Sequence, residues 1–287
     1  MKYLQYQIIK SCHNIFKNIN IKVLSYLSIP IGFIYYLLTF KNSIKLHKRS
    51  KILNKTLTIK YNPLRVKINY VKYWLETLWL TKDNFYNKIF KNVNIVNEEY
   101  IKNLKNEGII FALPHVGNWE MAIPVGKSIN LDLIAVAEPL SNHYVLNWFK
   151  DLREKLGCRI IIGGKGQNTF NTIINELNSG KHICLLSERS INKTGVGVEF
   201  FNNLASFPKG PVALALQTQL PIVPTTFLKI NNKYSLVFEK PFYVPLFDNE
   251  AISIQQGLKT LAISFEKLIS LNPNEWHSIQ PVWSHEY

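Results

Sequence analysis

Residues 108–121 read Gly-Ile-Ile-Phe-Ala-Leu-Pro-His-Val-Gly-Asn-Trp-Glu-Met, and within them the chain changes character twice. Positions 109–113 are an unbroken apolar run with β-rich composition, the pattern of a strand buried on both faces, as in a parallel sheet. Pro114 closes the run, because proline cannot donate to a ladder. His115 and the flexible Gly117 follow, and Asn118 is a good helix N-cap. Residues 119–129 then read as a mostly apolar helix, with Pro124 in its first turns. His115 and Glu120 are five residues apart. On one continuous helix of about 3.6 residues per turn they would point roughly 140° away from each other. They can meet only if His115 lies in the loop and Glu120 in the first turn. The carboxylate would then accept one imidazole N–H and leave the other nitrogen free as a base. A helix N-terminus disfavours imidazolium and would help keep that base neutral.

Outward from this stretch, short apolar runs alternate with longer mixed segments. Strands are expected at 109–113, 133–137, 159–162, 183–187, 222–227 and 234–239. Helices are expected at 69–80, 119–129, 142–156, 167–178 and 211–218, with a closing helix at 252–271. This is the signature of an α/β fold, a largely parallel sheet sandwiched by helices. In such sheets chemistry gathers at the carboxyl ends of the strands. Those ends deliver His115 and Glu120, then Glu138, then the flexible cationic run Gly163-Gly-Lys165-Gly, then Ser187-Glu188-Arg189-Ser190. Lys209 opens the 211–218 helix, a further place where an anion could be met. The Gly163 run has neither Walker nor Rossmann spacing. No Gly-x-Ser-x-Gly elbow is present, and no His/Asp/Glu cluster has metal-ligand spacing, so no metal is expected. His143 and His182 fall at structural positions, and His13, His47, His277 and His285 have no partner pattern. A histidine base, a carboxylate to orient it and cations for a phosphorylated ligand suit direct acyl transfer to a hydroxyl.

The chain has 287 residues and a formal charge of +15, which would suit a nucleic-acid binder if it were spread evenly. It is not: residues 1–75 carry 14 Lys/Arg and no acid, and the remainder is nearly neutral with 20 basic against 19 acidic residues. No nucleic-acid partner is expected. The basic segment also holds the longest uncharged stretch, residues 23–40, interrupted by Pro30 and Gly32. A cationic flank (Lys41, Lys45, Lys48, Arg49, Lys51, Lys55) beside an apolar run fits an anionic membrane surface, at roughly 1 kcal/mol per basic side chain. The expectation is a membrane-associating segment over 1–68, embedded in one leaflet or barely spanning, with the rest of the chain, 69–287, one domain at the cytoplasmic face. No small-x-small site follows the run, so a cleaved signal peptide is not expected. A buried core helix is the rival reading. Three cysteines in no CxxC pattern give no disulfide framework.

His115-x4-Glu120 within Leu-Pro-His-Val-Gly-Asn-Trp-Glu resembles the H-x4-D/E box of the glycerolipid acyltransferase superfamily, and Pro221-Ile-Val-Pro224 its later proline motif. More narrowly, the chain is similar to bacterial phosphatidylinositol mannoside acyltransferases and to their relatives, the lipid A lauroyl/myristoyl acyltransferases. The matching pieces run in order from about residue 70. They are Tyr73-Trp-Leu-Glu76, the His115 box, Ala137-Glu138, Arg153-Glu-x-Leu-Gly157, Leu185-Leu-x-Glu-Arg189, Gly197-Val-Glu-Phe-Phe201, Pro208-x-Gly-Pro211 and Glu275-Trp-His277 with Pro281-Val-Trp283.

The resemblance implies an αβα core, attachment at the inner leaflet, acyl-CoA as donor substrate with no further cofactor, and a glycolipid hydroxyl as acceptor. It makes His115 the base and Glu120 its orienting carboxylate, with Glu138, Arg153, Glu188 and Arg189 lining or organising the site. Lys165 and Lys209 are the candidates for the CoA phosphates, and a groove beside helix 119–129 with Phe149 and Phe201 is the candidate for the acyl chain. Two departures bear on the acceptor. The mannoside branch commonly has Asp at Glu120, and the family's Asp-Arg-Asp is here Glu188-Arg189-Ser190. A mannose of phosphatidylinositol mannoside is the expected acceptor, a lipid A precursor the alternative. A non-catalytic lipid-binding protein and a thioester hydrolase are the readings of other classes.

Overall fold

The strand Ile110–Leu113 in the centre of the sheet is buried along its whole length because its side chains serve two cores. Ile110 and Ala112 face one apolar cluster; Phe111 and Leu113 face the other. The computed structural model describes residues 1–163, 168–190, 195–283 and 286. In chain order the elements are α1 (Lys2–Phe16), α2 (Ile21–Leu38), α3 (Phe40–Leu53), α4 (Pro63–Trp79), α5 (Lys82–Lys88), β1 (Asn94–Val96), α6 (Glu99–Lys102), β2 (Ile110–Leu113), α7 (Trp119–Ser128) and β3 (Leu133–Ala137). They continue with α8 (His143–Leu156), β4 (Cys158–Ile162), α9 (Thr169–Asn178), β5 (His182–Leu186), β6 (Val196–Phe200), β7 (Asn203–Phe207), α10 (Gly210–Thr218), β8 (Ile222–Ile230), β9 (Lys233–Phe238) and α11 (Glu250–Ser270).

Seven strands form one sheet in the order β1-β9-β8-β2-β5-β3-β4, and every pairing in it is parallel except β8 with β9. Side chains of α9, α10 and α11, such as Ile173, Val212, Leu261 and Phe265, fill one face. Trp79 of α4, Met121 and Val125 of α7, and Leu152 of α8 fill the other. This is the expected αβα sandwich, with all six expected strands in place to within a few residues at their ends. Helices α1, α3, α5 and α6 were not among the expected elements, and among the strands two features escaped the sequence reading. Edge strand β1 has only three residues, Asn94-Ile-Val96, too short for a period to show. The β6–β7 hairpin stands apart from the sheet, joined by Phe201 and Asn202 at φ 48° and 58°. Its alternation Val196-x-Val198-x-Phe200 was the available signal.

Helix α2 is the apolar stretch near the N-terminus, and it is not a core helix. It turns Leu24, Ser28 and Gly32, spaced four apart, onto α4 and leaves Tyr26, Ile31, Ile34, Leu37 and Leu38 exposed. Gly32 sets how closely the two helices approach, since a Cβ there would come within 2.5 Å of the Ile68 Cα. Only 17% of its apolar window is buried, so the rival reading of a core helix is overturned.

Candidate active site

His115 and Glu188 are brought together by strand register. Leu113 of β2 is paired with Leu186 of β5, and each functional residue lies two positions beyond its strand. The Ser187 amide donates to the Leu113 carbonyl at 2.9 Å, extending the pairing past both strand ends. Parallel strands with equal offsets put the side chains next to each other. His115 Nδ1 lies 2.7 Å from both Glu188 carboxylate oxygens. The carboxylate can only accept, so Nδ1 carries the hydrogen and Nε2 is left as the acceptor. Glu188 is fully buried. Burial alone would push its carboxyl up, but the His115 imidazole, by charge and hydrogen bond, and the Arg189 guanidinium outweigh this, and the net shift is downward. The Trp276 indole N–H stands 3.5 Å from the same carboxylate, and the Trp119 ring meets His115 edge-on at 5.4 Å.

Glu120 is therefore not the carboxylate that orients His115. It lies in the first turn of α7, as expected, but both of its oxygens are taken by Arg153 of α8, at 2.9 and 2.7 Å. The side chain is fully buried and the pair is bidentate, locking α7 to α8. The reason lies in direction. The first helical turn carries Glu120 toward the neighbouring helix, whereas the next strand in the sheet presents Glu188 at the height of His115. Asn118 holds the N-cap position of α7 without capping it through its side chain; its amide donates instead to Glu76 at 3.3 Å.

The other expected site residues are spread more widely. Glu138 stands exposed just past β3, at the same edge of the sheet. Arg189 follows Glu188 and donates to the Gln280 side chain. Lys209 is exposed at the start of α10, and no contact joins it to His115 among the described residues. Lys165 lies outside the described residues. Phe149 and Phe201 belong to the two apolar clusters on opposite faces of the sheet, so they do not line one groove. In their place the structure brings His277, which has no partner pattern in the sequence. Its amide donates to the His115 carbonyl at 3.0 Å, and its Nε2 donates to the Gly117 carbonyl at 2.6 Å. The tail residues thus hold the His115 loop from behind, a contact that no local spacing could announce.

Gly117 shows how tightly this loop is held. Its φ is +66°, its amide donates to the Glu275 carbonyl at 2.9 Å, and a Cβ would come within 1.9 Å of the Phe227 carbonyl oxygen. Gly117→Ala is expected to destabilise the fold by about 2–4 kcal/mol, from left-handed strain plus a backbone clash. Urea unfolding checks this, and an unchanged midpoint would show that the loop is loose.

Burial lowers the imidazole of His277 to about 4, and burial likewise lowers His182 at the start of β5 to about 4. Both are neutral when folded, while a solvated histidine protonates near pH 6.5. The unfolded chain therefore binds more protons than the folded one from about pH 6.5 down to about 4, so stability is full above 6.5 and falls across that window. The two histidines together should remove several kcal/mol, because each tenfold difference in proton affinity between the folded and unfolded chain is worth about 1.4 kcal/mol. Urea midpoints measured from pH 7.5 to 4.5 are expected to drop steadily; a flat profile would mean that neither histidine is held neutral.

Comparison with known proteins agrees with this layout. The sequence profile of the bacterial lipid A biosynthesis acyltransferases matches residues 67–285. The phosphatidylinositol mannoside acyltransferase of Mycobacterium tuberculosis is 31% identical over 178 residues, which is 61% of this chain and 54% of that protein. The protein of the same name from Mycolicibacterium smegmatis is 26% identical over 218 residues, 75% of this chain and 70% of that one. The chain thus matches only about half the length of the M. tuberculosis relative. The matched span takes in β2, the His115 loop, β5 with Glu188 and the tail that braces them, and the chain belongs to the bacterial lipid A biosynthesis acyltransferase family.

Proposed function

We propose that this protein moves a long acyl chain from acyl-CoA to a hydroxyl of a membrane glycolipid, with a mannose of phosphatidylinositol mannoside as acceptor. The observation that carries this reading is the His115–Glu188 pair at the carboxyl edge of a sheet in an acyltransferase family. His115 Nε2 takes the proton of the acceptor hydroxyl as its oxygen attacks the thioester carbonyl. Glu188 stabilises the imidazolium that forms. The tetrahedral intermediate collapses, the C–S bond breaks, and the imidazolium returns its proton to the leaving thiolate. No covalent acyl-enzyme is needed, consistent with the absence of a nucleophile elbow in the sequence. Arg153 and Glu120 support the reaction indirectly by fixing α7, whose first turn follows the loop.

The names of the relatives from both mycobacteria favour the mannoside acceptor. Location at the membrane is supported by the exposed apolar faces of α1 (Leu4, Ile8, Ile15) and α2 (Ile34, Leu37, Leu38), next to the lysine-rich α3. Apolar burial plus attraction to anionic lipid is the usual energetics of a leaflet-embedded helix. The test is mass spectrometry of the products after incubating purified protein with palmitoyl-CoA and two competing acceptors, phosphatidylinositol mannoside and a lipid A precursor. An acylated mannoside that vanishes with His115→Ala is the expected result. An acylated lipid A precursor would keep the chemistry and change the acceptor. Free palmitate without any acylated lipid would make the protein a thioesterase, and lipid binding without turnover would make it a binding protein.

A further inference from the structure

On the side of β2 away from β5, helices α2 and α4 part above the turn between β8 and β9 and enclose a cleft of about 440 Å3. Its lining is mostly polar. Arg65 and Lys72 from α4 and Lys229 from β8 bring three cations, against the single acid Glu275. Five asparagines line it, two of them in the turn itself, and the side chain of one, Asn274, is committed to the fold, accepting from the Asn62 amide at 2.8 Å and donating to the Lys60 carbonyl at 3.1 Å. Asn231 and Asn232 sit at φ 48° and 64°, a two-residue turn with both residues left-handed that asparagine tolerates well.

The wall is only partly committed to the fold. The amide nitrogens of Asn69 and Asn272 donate to the backbone carbonyls of Asn274 and Lys229, and among the described residues neither side-chain oxygen accepts a hydrogen bond. Lys72 is held by Glu76 and Glu275, at 3.8 and 3.5 Å, and Lys229 lies 4.0 Å from Glu76, so Arg65 is the cation the fold leaves for a ligand. Arg65 is exposed at the mouth and makes no ion pair among the described residues. Apolar surface enters the cleft at Ile29 and Ile68 alone. Ile29 is itself half exposed and lies on the same helix as the outward apolar face of α2, so the polar cleft opens directly onto the surface suited to acyl chains.

The cleft also adjoins the His115 loop. Asn69, Lys72 and Glu275 line both it and a chamber of about 10 Å3, the size of one water, which ends on Gly117, Asn118 and His277. A ligand in the cleft would lie one layer of side chains away from the loop.

We propose that this cleft seats the phosphorylated polyol of a lipid headgroup, Arg65 meeting the phosphate and the asparagines the ring hydroxyls. Guanidinium suits phosphate by its planar fork, and amides, which both donate and accept, suit vicinal hydroxyls. The inference rests on the acyl-acceptor reading, since it locates the end of the acceptor remote from the reacting hydroxyl.

The test is calorimetric titration of the full chain with myo-inositol 1-phosphate, inorganic phosphate and methyl α-mannoside in separate arms. The variants are Arg65→Gln and Asn232→Gly, the second keeping a residue comfortable at positive φ while deleting the amide. Thermal melts confirm that each is folded. Inositol phosphate is expected to bind at least tenfold more tightly than either other probe, and each variant to weaken it at least fivefold. Inorganic phosphate binding equally well would reduce the cleft to a simple anion site. No saturable binding of inositol phosphate, or binding unchanged in both folded variants, would overturn the proposal. Acyl transfer assayed on the same samples separates the two readings. Transfer without inositol phosphate binding rejects the cleft alone, and variant-sensitive binding without transfer rejects the enzymatic reading alone.

Discussion

Replacing His115 by alanine is expected to cut acyl-transfer turnover by about 10²–10⁴ while the fold stays intact. The imidazole is about one-fifth exposed, and its one polar side-chain partner among the described residues is Glu188, so its removal costs chemistry more than packing. The companion variant distinguishes the two carboxylates. Glu188→Gln keeps the shape but removes the charge that stabilises the imidazolium and holds the hydrogen on Nδ1. It is expected to lose about 10² or more in kcat with little change in KM. Glu120→Gln is expected to lose less turnover and more stability, because Glu120 faces Arg153 in a buried bidentate pair and not the base. The measurement is kcat and KM at equal folded fraction for all three variants. If Glu120→Gln proved as inactive as His115→Ala while Glu188→Gln kept full turnover, the pairing of base and carboxylate described here would be wrong.

The second large effect is on stability and begins far from His115 in sequence. Arg49 of α3 is only 1% exposed and holds the C-terminal tail. Its Nε and Nη2 donate to Glu286 at 3.1 and 2.9 Å, Nη2 also donates to the Gln280 carbonyl at 3.1 Å, and Nη1 donates to the Ser278 carbonyl. The guanidinium lies over the rings of Trp276 and Trp283, at 4.8 and 5.4 Å. Arg49→Met would leave the Glu286 carboxylate buried with, among the described residues, the Val282 and Trp283 amides at 2.7 and 3.3 Å. The expected loss is about 3–5 kcal/mol, the usual cost of breaking a buried pair from one side. Arg49→Lys should recover little, because an ammonium cannot reproduce the fork or the stacking. The double variant Arg49→Met/Glu286→Leu should recover part of the loss, since no charge is then stranded. Urea unfolding measures all three, and an Arg49→Met midpoint equal to wild type would show that the tail is held by its tryptophans alone. Activity should fall with stability, because this tail carries Trp276 and His277 behind the His115 loop.

Arg49 also bears on how the chain divides. The basic, apolar first 68 residues stand out in composition, yet α4 begins at Pro63, α2 packs along α4, and α3 clasps the tail. Compositional contrast reports the environment a segment faces; it does not report which other segments the segment packs against.

The central sheet, its helical cover and the loop that carries His115 past β2 were legible in the sequence because they rest on local patterns. An apolar run buried on both faces, a proline stop and an asparagine at a helix start are each encoded within a few residues, and the six expected strands appear where those patterns put them. The partner of His115 was not legible. In the sequence, Glu120 is five residues from His115 and Glu188 is 73, so spacing favours the nearer carboxylate. Only the parallel register of β2 with β5 decides for Glu188, and only the packing of α7 on α8 commits Glu120 to Arg153. The same holds for His277, Gly117 and Arg49, whose roles arise from contacts between segments that are distant in the chain. Side-chain periodicity is set by each residue's immediate neighbours and can be read from them, whereas the meeting of two strand ends or of a first helix with a last tail depends on the whole folded chain.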